Sequence, residues 1–505
     1  MRSHFLTSFA ATFIATASAF ALNFNPPNFN GNDFVTEAQS VRKNINDQQF
    51  NDLTCEPYLK SVVAAIQNYD MSKADRLKLI QQSQQILDVM WGIRLDLHDK
   101  VGDLSLSAKC VDSVKATFRS MRAIEDYLGE FVYPNIRQIR AESIDFKTQP
   151  IPLKDVQAYP KFHINPKYAS APLDFQSGDI MITKGVSFLS STISTIPDVT
   201  SQYSHIVLVH VDQKSKEVKT LESYVGPGFS AFTIDDALRD ENARILVLRP
   251  KDLKIGRAAA DFMMNRYLDS VKNKTPVQYD YNLDFKDHST LTCAEVAEQG
   301  YEEVTGGKLI LPMFQSHISL KNDKFLSSIG LKQGPIFTPI DMETDPRFEM
   351  VLEWRDQRLM RDSRYKDAVA HSMLKWMNNL GYELRTPTKL WLQTEFIAAM
   401  RHSDLTWSFA KKVGGGDVTD AMRTIPLKTL RSMGTLKLVA TNLLNVLYDL
   451  DAQFIKKQGW PMTNVELEKA LSQFRSDDYQ RYLGGQKKGS FHNAFRPRTA
   501  EEKTP

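Results

Sequence analysis

Between Leu79 and Leu97 the apolar residues recur at helical spacing. From Gly178 they follow the two-residue period of strands, and near Asp345 helical spacing returns. A chain whose hydrophobic period changes from 3.6 to 2 and back cannot be one helical bundle or one sandwich. It needs a sheet-bearing middle between two helical parts, an α+β organisation. At 505 residues it also exceeds what one hydrophobic core organises, so two or three units are expected.

The N-terminal part reads in four pieces. Residues 1–21 have the build of a secretory signal peptide: Arg2, an apolar run from Phe5 to about Ala17, and Ala19-Phe20-Ala21 before Leu22 as a cleavage site. An exported chain, periplasmic or secreted, is the expectation, with the alternative that the segment stays on as an anchor. Residues 22–45, rich in Asn, Pro and Phe, are expected to be an extended lead-in. Residues 46–145 are a helical domain, because Leu79, Ile86, Met90, Ile93 and Leu97 form one stripe and Val111, Val114, Phe118, Met121 and Leu128 another. Residues 146–169, with Pro150, Pro152, Pro160 and Pro166, read as a linker.

In the middle part Asp179 to Thr183 reads as a strand. A Ser/Thr-rich loop from Ser187 to Ser201 follows, then a hairpin of Ser204–Val211 and Val218–Tyr224. Ala243–Leu248 is a further strand and Ala258–Val271 an amphipathic helix. The helix that begins near Cys293 follows a polar turn, and a small antiparallel sheet is expected to pack on it. From 346 to 483 the chain is helical again, interrupted by Gly414-Gly415-Gly416, and 484–505 reads as a disordered basic tail. A formal net charge of +3 is too small to imply nucleic acid as a partner.

Three cysteines in an exported chain are an informative number. Cys55 and Cys110 each begin a predicted helix of the N-terminal domain, so a disulfide between them would staple two helices. Cys293 is then alone. Placed in the first turn of a helix, it meets unpaired N–H groups and the positive end of the helix dipole, which favour a thiolate. The alternative is a small buried hydrophobe.

A nucleophilic cysteine needs a base and a group to orient the base. Of ten histidines, His205 stands out because it opens an otherwise apolar strand, where an imidazole is costly without a partner. Strand alternation puts His205 with Val207 and Val209, and Glu222 with Thr220 and Tyr224. If opposed positions sum to 427, His205 and Glu222 are direct partners, and at 429 they are diagonal neighbours. At 428 they fall on opposite faces. His210 lies on the other face and reads as structural; His288 is near Cys293 in sequence but poorly placed to fold back on it. Glu295 and Glu298 read as helix-surface or supporting groups.

Gly178-Asp179-Ile180, Tyr203-Ser204-His205, Glu222, Tyr279-Asp280-Tyr281 and Cys293-Ala294-Glu295-Val296, in that order, resemble the circularly permuted papain-like amidases and peptidases of the YiiX type, in the NlpC-like superfamily. The resemblance covers about 170–345. It implies a permuted papain-like domain there, with Cys293 as nucleophile, His205 as base, Glu222 as the third polar residue, and no metal or cofactor. The chain departs from it at Cys293-Ala294-Glu295-Val296, where the family commonly has Cys-Ser-Glu-Leu. The expected function is an exported thiol amidase or peptidase, acting on peptide or cell-wall-type amides and associated with the cell envelope. A lipid deacylase or acyltransferase using the same residues is one alternative, which exposed Phe188, Leu189 and Ile193 in the Ser/Thr-rich loop would favour. An inactive scaffold whose helical flanks bind a partner protein is the other.

Overall fold

The computed structural model describes residues 24–31, 33–132, 162–169, 174–239, 242–414 and 418–498. The expected signal peptide and most of the expected linker lie outside them. Five helices come first: α1 (Phe34–Asn46), α2 (Asp52–Gln67), α3 (Arg76–Gln81), α4 (Ser83–Asp103) and α5 (Ala108–Val132). Half of the segment expected to be extended is therefore helix. Asp33 caps α1, and Phe34, Ala38, Val41 and Ile45 form a buried stripe at spacings of 4, 3 and 4 within a polar, Asn-rich context that obscures it. A disulfide joins Cys55 on α2 to Cys110 on α5, with Cα atoms 5.6 Å apart. Closing a loop of that length is worth about 4 kcal/mol in the chain-entropy account.

Seven strands form one antiparallel sheet: β1 (Phe162–Ile164), β2 (Ile180–Gly185), β3 (His205–Val211), β4 (Val218–Tyr224), β5 (Gly228–Thr233), β6 (Asn242–Pro250) and, after the two-residue pair β7 (Ser316–His317) and β8 (Pro335–Ile336), β9 (Phe348–Arg355). Their order is β1-β9-β6-β2-β3-β4-β5. The sheet therefore reaches beyond 170–345 on both sides. Strand β1 falls where a linker was expected and β9 where helix was, each too long-range a pairing to be read from local pattern.

The helices of this part are α6 (Phe188–Thr195), α7 (Ile234–Arg239), α8 (Leu253–Lys272), α9 (Cys293–Thr305), α10 (Asp323–Ser328) and α11 (Pro339–Glu343). Ile180, Ile182, Ile206, Leu208, Leu246 and Leu248 pack against Ala259, Ala260 and Met263 of α8 and Val296 and Ala297 of α9. Met181, Val207, Val209, Ile245 and Val247 fill the other face with Val351 and Trp354. The expected Ser/Thr-rich loop is mostly α6. Ser187 caps it, and the hydroxyls of Thr192, Ser194 and Thr195 bond to carbonyls within the same segment, so the polar run satisfies itself as a helix against later elements.

The C-terminal part holds α12 (Gln357–Leu380), β10 (Tyr382–Leu384), α13 (Thr388–Met400), α14 (Asp404–Gly414), α15 (Leu427–Gln458), α16 (Asn464–Leu483) and β11 (Phe495–Pro497). The expected disordered tail is folded as far as 498: Phe491 and Phe495 are buried in the C-terminal core, and β11 pairs with β10. Two apolar rings among basic residues are enough to dock it.

The three parts share interfaces. Arg94 on α4 and Arg122, Glu125 and Asp126 on α5 meet Arg244 on β6, Glu343 on α11, and Glu353 and Arg355 on β9, all buried. Arg94 spans Glu353 Oε2 at 2.9 Å and Glu343 Oε1 at 2.8 Å; Arg355 donates to Glu125 Oε2 at 2.7 Å, and Arg244 pairs with Asp126. Four guanidinium groups face four carboxylates. A sealed cluster is tolerable only because its charges balance and are hydrogen-bonded.

Candidate active site

Thr292 caps α9. Its hydroxyl accepts from Glu295 N at 3.3 Å, and Glu295 Oε2 accepts from Thr292 N at 2.7 Å. This reciprocal box fixes the helix start one residue before Cys293, as the local sequence requires. The approach to it is held too: Ser223 on β4 donates to Leu291 O, and Leu291 N donates to Gln278 O at 3.0 Å. Cys293 is half-buried.

Strands β3 and β4 pair with Leu208 opposite Leu221 and Val209 opposite Thr220, a constant sum of 429. His205 and Glu222 are thus on one face as diagonal neighbours, and His205 Nε2 lies 2.9 Å from Glu222 Oε2. Tyr224, opposite His205 in the same register, stacks on the imidazole with ring centroids 4.5 Å apart and planes at 21°.

His205 also lies close enough to Cys293 for each group to shift the titration of the other. With Nε2 engaged by Glu222, Nδ1 is the nitrogen left for the thiol. Burial works against a charged ring, but the attraction of nearby Cys293 and Glu222 prevails and raises the His205 pKa to about 10. Burial likewise opposes a thiolate at Cys293. The nearby His205 ring and its charge, with backbone N–H groups of Ile206 and Ala294, outweigh it and hold the thiol below its ordinary value. Glu222 is lowered against its burial by His205 first, aided by the Thr220 and Tyr224 hydroxyls. Its Oε1 has no direct hydrogen-bond partner among the described residues. The combination favours a thiolate and imidazolium backed by a carboxylate.

Reasoning from sequence overlooked two groups. One is Tyr224, whose stacking restrains the ring. The other is Tyr279, close enough to Cys293 that, after burial, a thiolate is the main influence raising the phenol pKa well above its usual value. A phenol held protonated beside a thiolate is a hydrogen-bond donor in waiting. The Tyr279-Asp280-Tyr281 run shows only that aromatic residues are near, since nothing local tells a donor from a core ring.

The other expected residues fall elsewhere. His210 Nε2 lies 3.1 Å from Asp261 Oδ1 on α8 and has a structural partner. His288 is not among the groups acting on Cys293. Glu295 and Glu298 are not surface groups: both are buried, and burial first, then neighbouring carboxylates, pushes their pKa values up to about 7 and about 8. Asp179, in the Gly178-Asp179-Ile180 run, accepts from Arg249 Nε at 2.9 Å and Nη2 at 2.8 Å, while Gly178 at φ +94° passes the backbone of Gly256 too closely for a Cβ. That run is structural.

The loop entering β3 is tied to the N-terminal helices. Arg122 on α5 donates to Ser201 O at 2.9 Å and to Gln202 Oε1 at 3.2 Å, and Tyr203 donates to Glu353 Oε1 at 2.8 Å. The buried charge cluster therefore anchors the residues immediately before His205. On the other side, the Tyr281 hydroxyl meets Thr424 Oγ1 at 3.2 Å, so the C-terminal part borders the site. A cleft of about 470 Å³, lined by Asp280, Asp284, Asp287, Thr290, Lys332 and Gln333 but not by Cys293, His205 or Glu222, lies along the segment that leads into α9. Among the described residues, no three His, Cys, Asp or Glu side chains group as metal ligands.

No family model matches the chain, and no curated protein matches it. Among solved structures, the crystal structure of the metalloprotein YiiX from Escherichia coli O157:H7 is similar over 36% of this chain and 98% of that one, at 18% identity and a TM-score of 0.29. An overlap of that size carries no argument about chemistry.

Proposed function

We propose that the chain is an exported cysteine hydrolase that cleaves an amide bond through a thioester. The observation that carries this reading is the His205 imidazole held on one side by Glu222 at 2.9 Å and close enough on the other to Cys293 to lower its thiol pKa. In this reading the domain is a permuted papain-like one of the YiiX type, in keeping with the order His205, Glu222, Cys293.

The Cys293 thiolate attacks the acyl carbon, and the carbonyl oxygen takes the negative charge. The Cys293 backbone N–H at the start of α9 and the Tyr279 hydroxyl are the donors suited to hold that oxyanion. His205 then gives its proton to the leaving nitrogen as the C–N bond breaks, leaving a thioester and an amine. It next takes a proton from water, whose oxygen attacks the thioester. Collapse releases a carboxylic acid and restores the sulfur and imidazolium. Glu222 orients the ring and balances its charge throughout.

The polar cleft lined by residues 280–290, the segment leading into Cys293 though not containing it, favours a peptide or cell-wall-type amide as substrate. Phe188, Leu189 and Ile193, whose exposure would have favoured lipid, are partly buried on α6. A lipid acyl substrate is favoured by one different observation. Leu405, Phe409 and Val413 form an exposed stripe on α14 at spacings of four, with Lys411 and Lys412 beside it, in the part that borders the site.

The deciding experiment labels wild type, Cys293→Ala and His205→Ala with an acyl-type thiol probe, then offers peptide amides and N-acyl lipids to the wild type. Labelling only at Cys293, slowed strongly in His205→Ala, is the expected result. Equal rates in wild type and His205→Ala would refute an activated pair and leave the inactive scaffold. Turnover of lipid amides alone would select the second reading.

A further inference from the structure

Far from Cys293, a cavity of about 380 Å³ opens where the N-terminal helices meet the C-terminal part. That volume is in the range of small-molecule sites. Phe34, Ile66, Leu79, Ile124, Leu128 and Val465 give it an apolar stretch of wall beside polar groups that include Ser120, Asn464 and Glu468. None of its lining residues belongs to the strands or helix that carry His205, Glu222 and Cys293.

At one end stands Arg119 of α5. Among the described residues this guanidinium makes no hydrogen bond and no ion pair, although it lies against an apolar wall and feels Glu468 and Asp367 only through their charge. Asp367 is already bound by Lys184 Nζ at 2.5 Å. Glu468 is shared with Lys375 at 3.7 Å and His371 at 3.8 Å, and burial, the largest influence on His371, holds that ring neutral. Arg119 and Lys375 against Glu468 leave one positive charge in excess. Arg119 is partly exposed into the cavity, so its donors, unspent within the chain, are available to an anion there.

We propose that this cavity binds one amphiphile with a single anionic head, a long-chain carboxylate. Its head sits on Arg119 and its chain lies among α1, α2, α4 and α5. At about 30 Å³ per water-sized group, 380 Å³ takes a chain of roughly ten or more carbons. A dianionic head would meet Glu468 with charge unmatched, and a cationic head would face Arg119 directly.

The test uses the disulfide-intact full chain with Cys293 blocked by iodoacetamide, so that binding in the hydrolase cleft and binding here are told apart. Calorimetry with sodium dodecanoate, below its micellar concentration, should give one site per chain. Dodecyltrimethylammonium, with an equal tail, should show no such site. Arg119→Gln, which removes no bond seen in the fold, should weaken dodecanoate about tenfold or more, and Arg119→Lys should retain part of the affinity. Ala123→Phe, on the cavity wall, should abolish binding while leaving the melting temperature close to that of wild type. Absence of stoichiometric binding, equal affinity for the two head groups, or an unchanged affinity in Arg119→Gln would overturn the proposal. Dodecanoate binding only while Cys293 is unblocked would overturn it too, by placing the ligand in the cleft.

Discussion

Two clusters of charge, linked through the segment that leads into β3, behave as opposites. Around Arg94, Arg122, Arg244 and Arg355 every carboxylate has a guanidinium and the whole is sealed from water. Around His205 the set is small and half-open, with the sulfur partly exposed. Buried ions that satisfy each other hold a structure, because any loss leaves an uncompensated charge. Ions whose pKa values are displaced so that the proton rests on the ring and the charge on a partly exposed sulfur are poised for nucleophilic attack. Tyr203 joins the two, since its hydroxyl is in the sealed cluster and its backbone leads into His205.

The sharpest way to separate them is Cys293→Ala. Hydrolysis and thiol labelling should fall by at least about 10⁴-fold, with the melting temperature unchanged, as activity assays and thermal unfolding will show. A large loss of stability would mean that the sulfur belongs with the structural set. Glu353→Ala should do the reverse, costing about 3–5 kcal/mol in chemical denaturation because Arg94 and Arg244 lose their counter-charge. If stability were unaffected, the sealed cluster would not be the brace described here.

Glu222→Gln should be milder, slowing labelling by about 10- to 100-fold with little change in stability. The pH profile sharpens this. In wild type the labelling rate should rise as pH passes the lowered Cys293 pKa and fall near pH 10 as His205 loses its proton. In Glu222→Gln the upper limb should move to lower pH, and an unmoved limb would exclude Glu222 as the partner that holds the ring charged.

The smallest effect belongs to Glu298, behind the nucleophile. Its folded pKa, about 8, lies above the unfolded carboxyl value. The protonated folded form is therefore favoured at low pH, and that advantage is lost as pH rises through about 8. Glu298→Gln should then stabilise the chain by about 1–2 kcal/mol at pH 9 and leave it unchanged at pH 4, read by denaturant unfolding at both. A pH-independent difference would contradict the assigned burial.

Local pattern was enough to determine several things about this protein. Alternation along β3 and β4 restricted His205 and Glu222 to one face unless the register took the even sum, and the polar turn before a helix-forming run placed Cys293 in a first helical turn. These are short-range consequences of backbone period and of orphan N–H groups. Folding in three dimensions decided the rest. It selected 429 over 427, brought the sulfur of residue 293 to the ring of residue 205, and set Tyr224 and Tyr279 around them. It also added β1 and β9 to the sheet and docked Phe491 and Phe495. Arg94 and Glu353 are 259 positions apart, and no local period encodes which distant charges will meet. Such partners are chosen when separate apolar faces are buried together and the charges left between them must find one another.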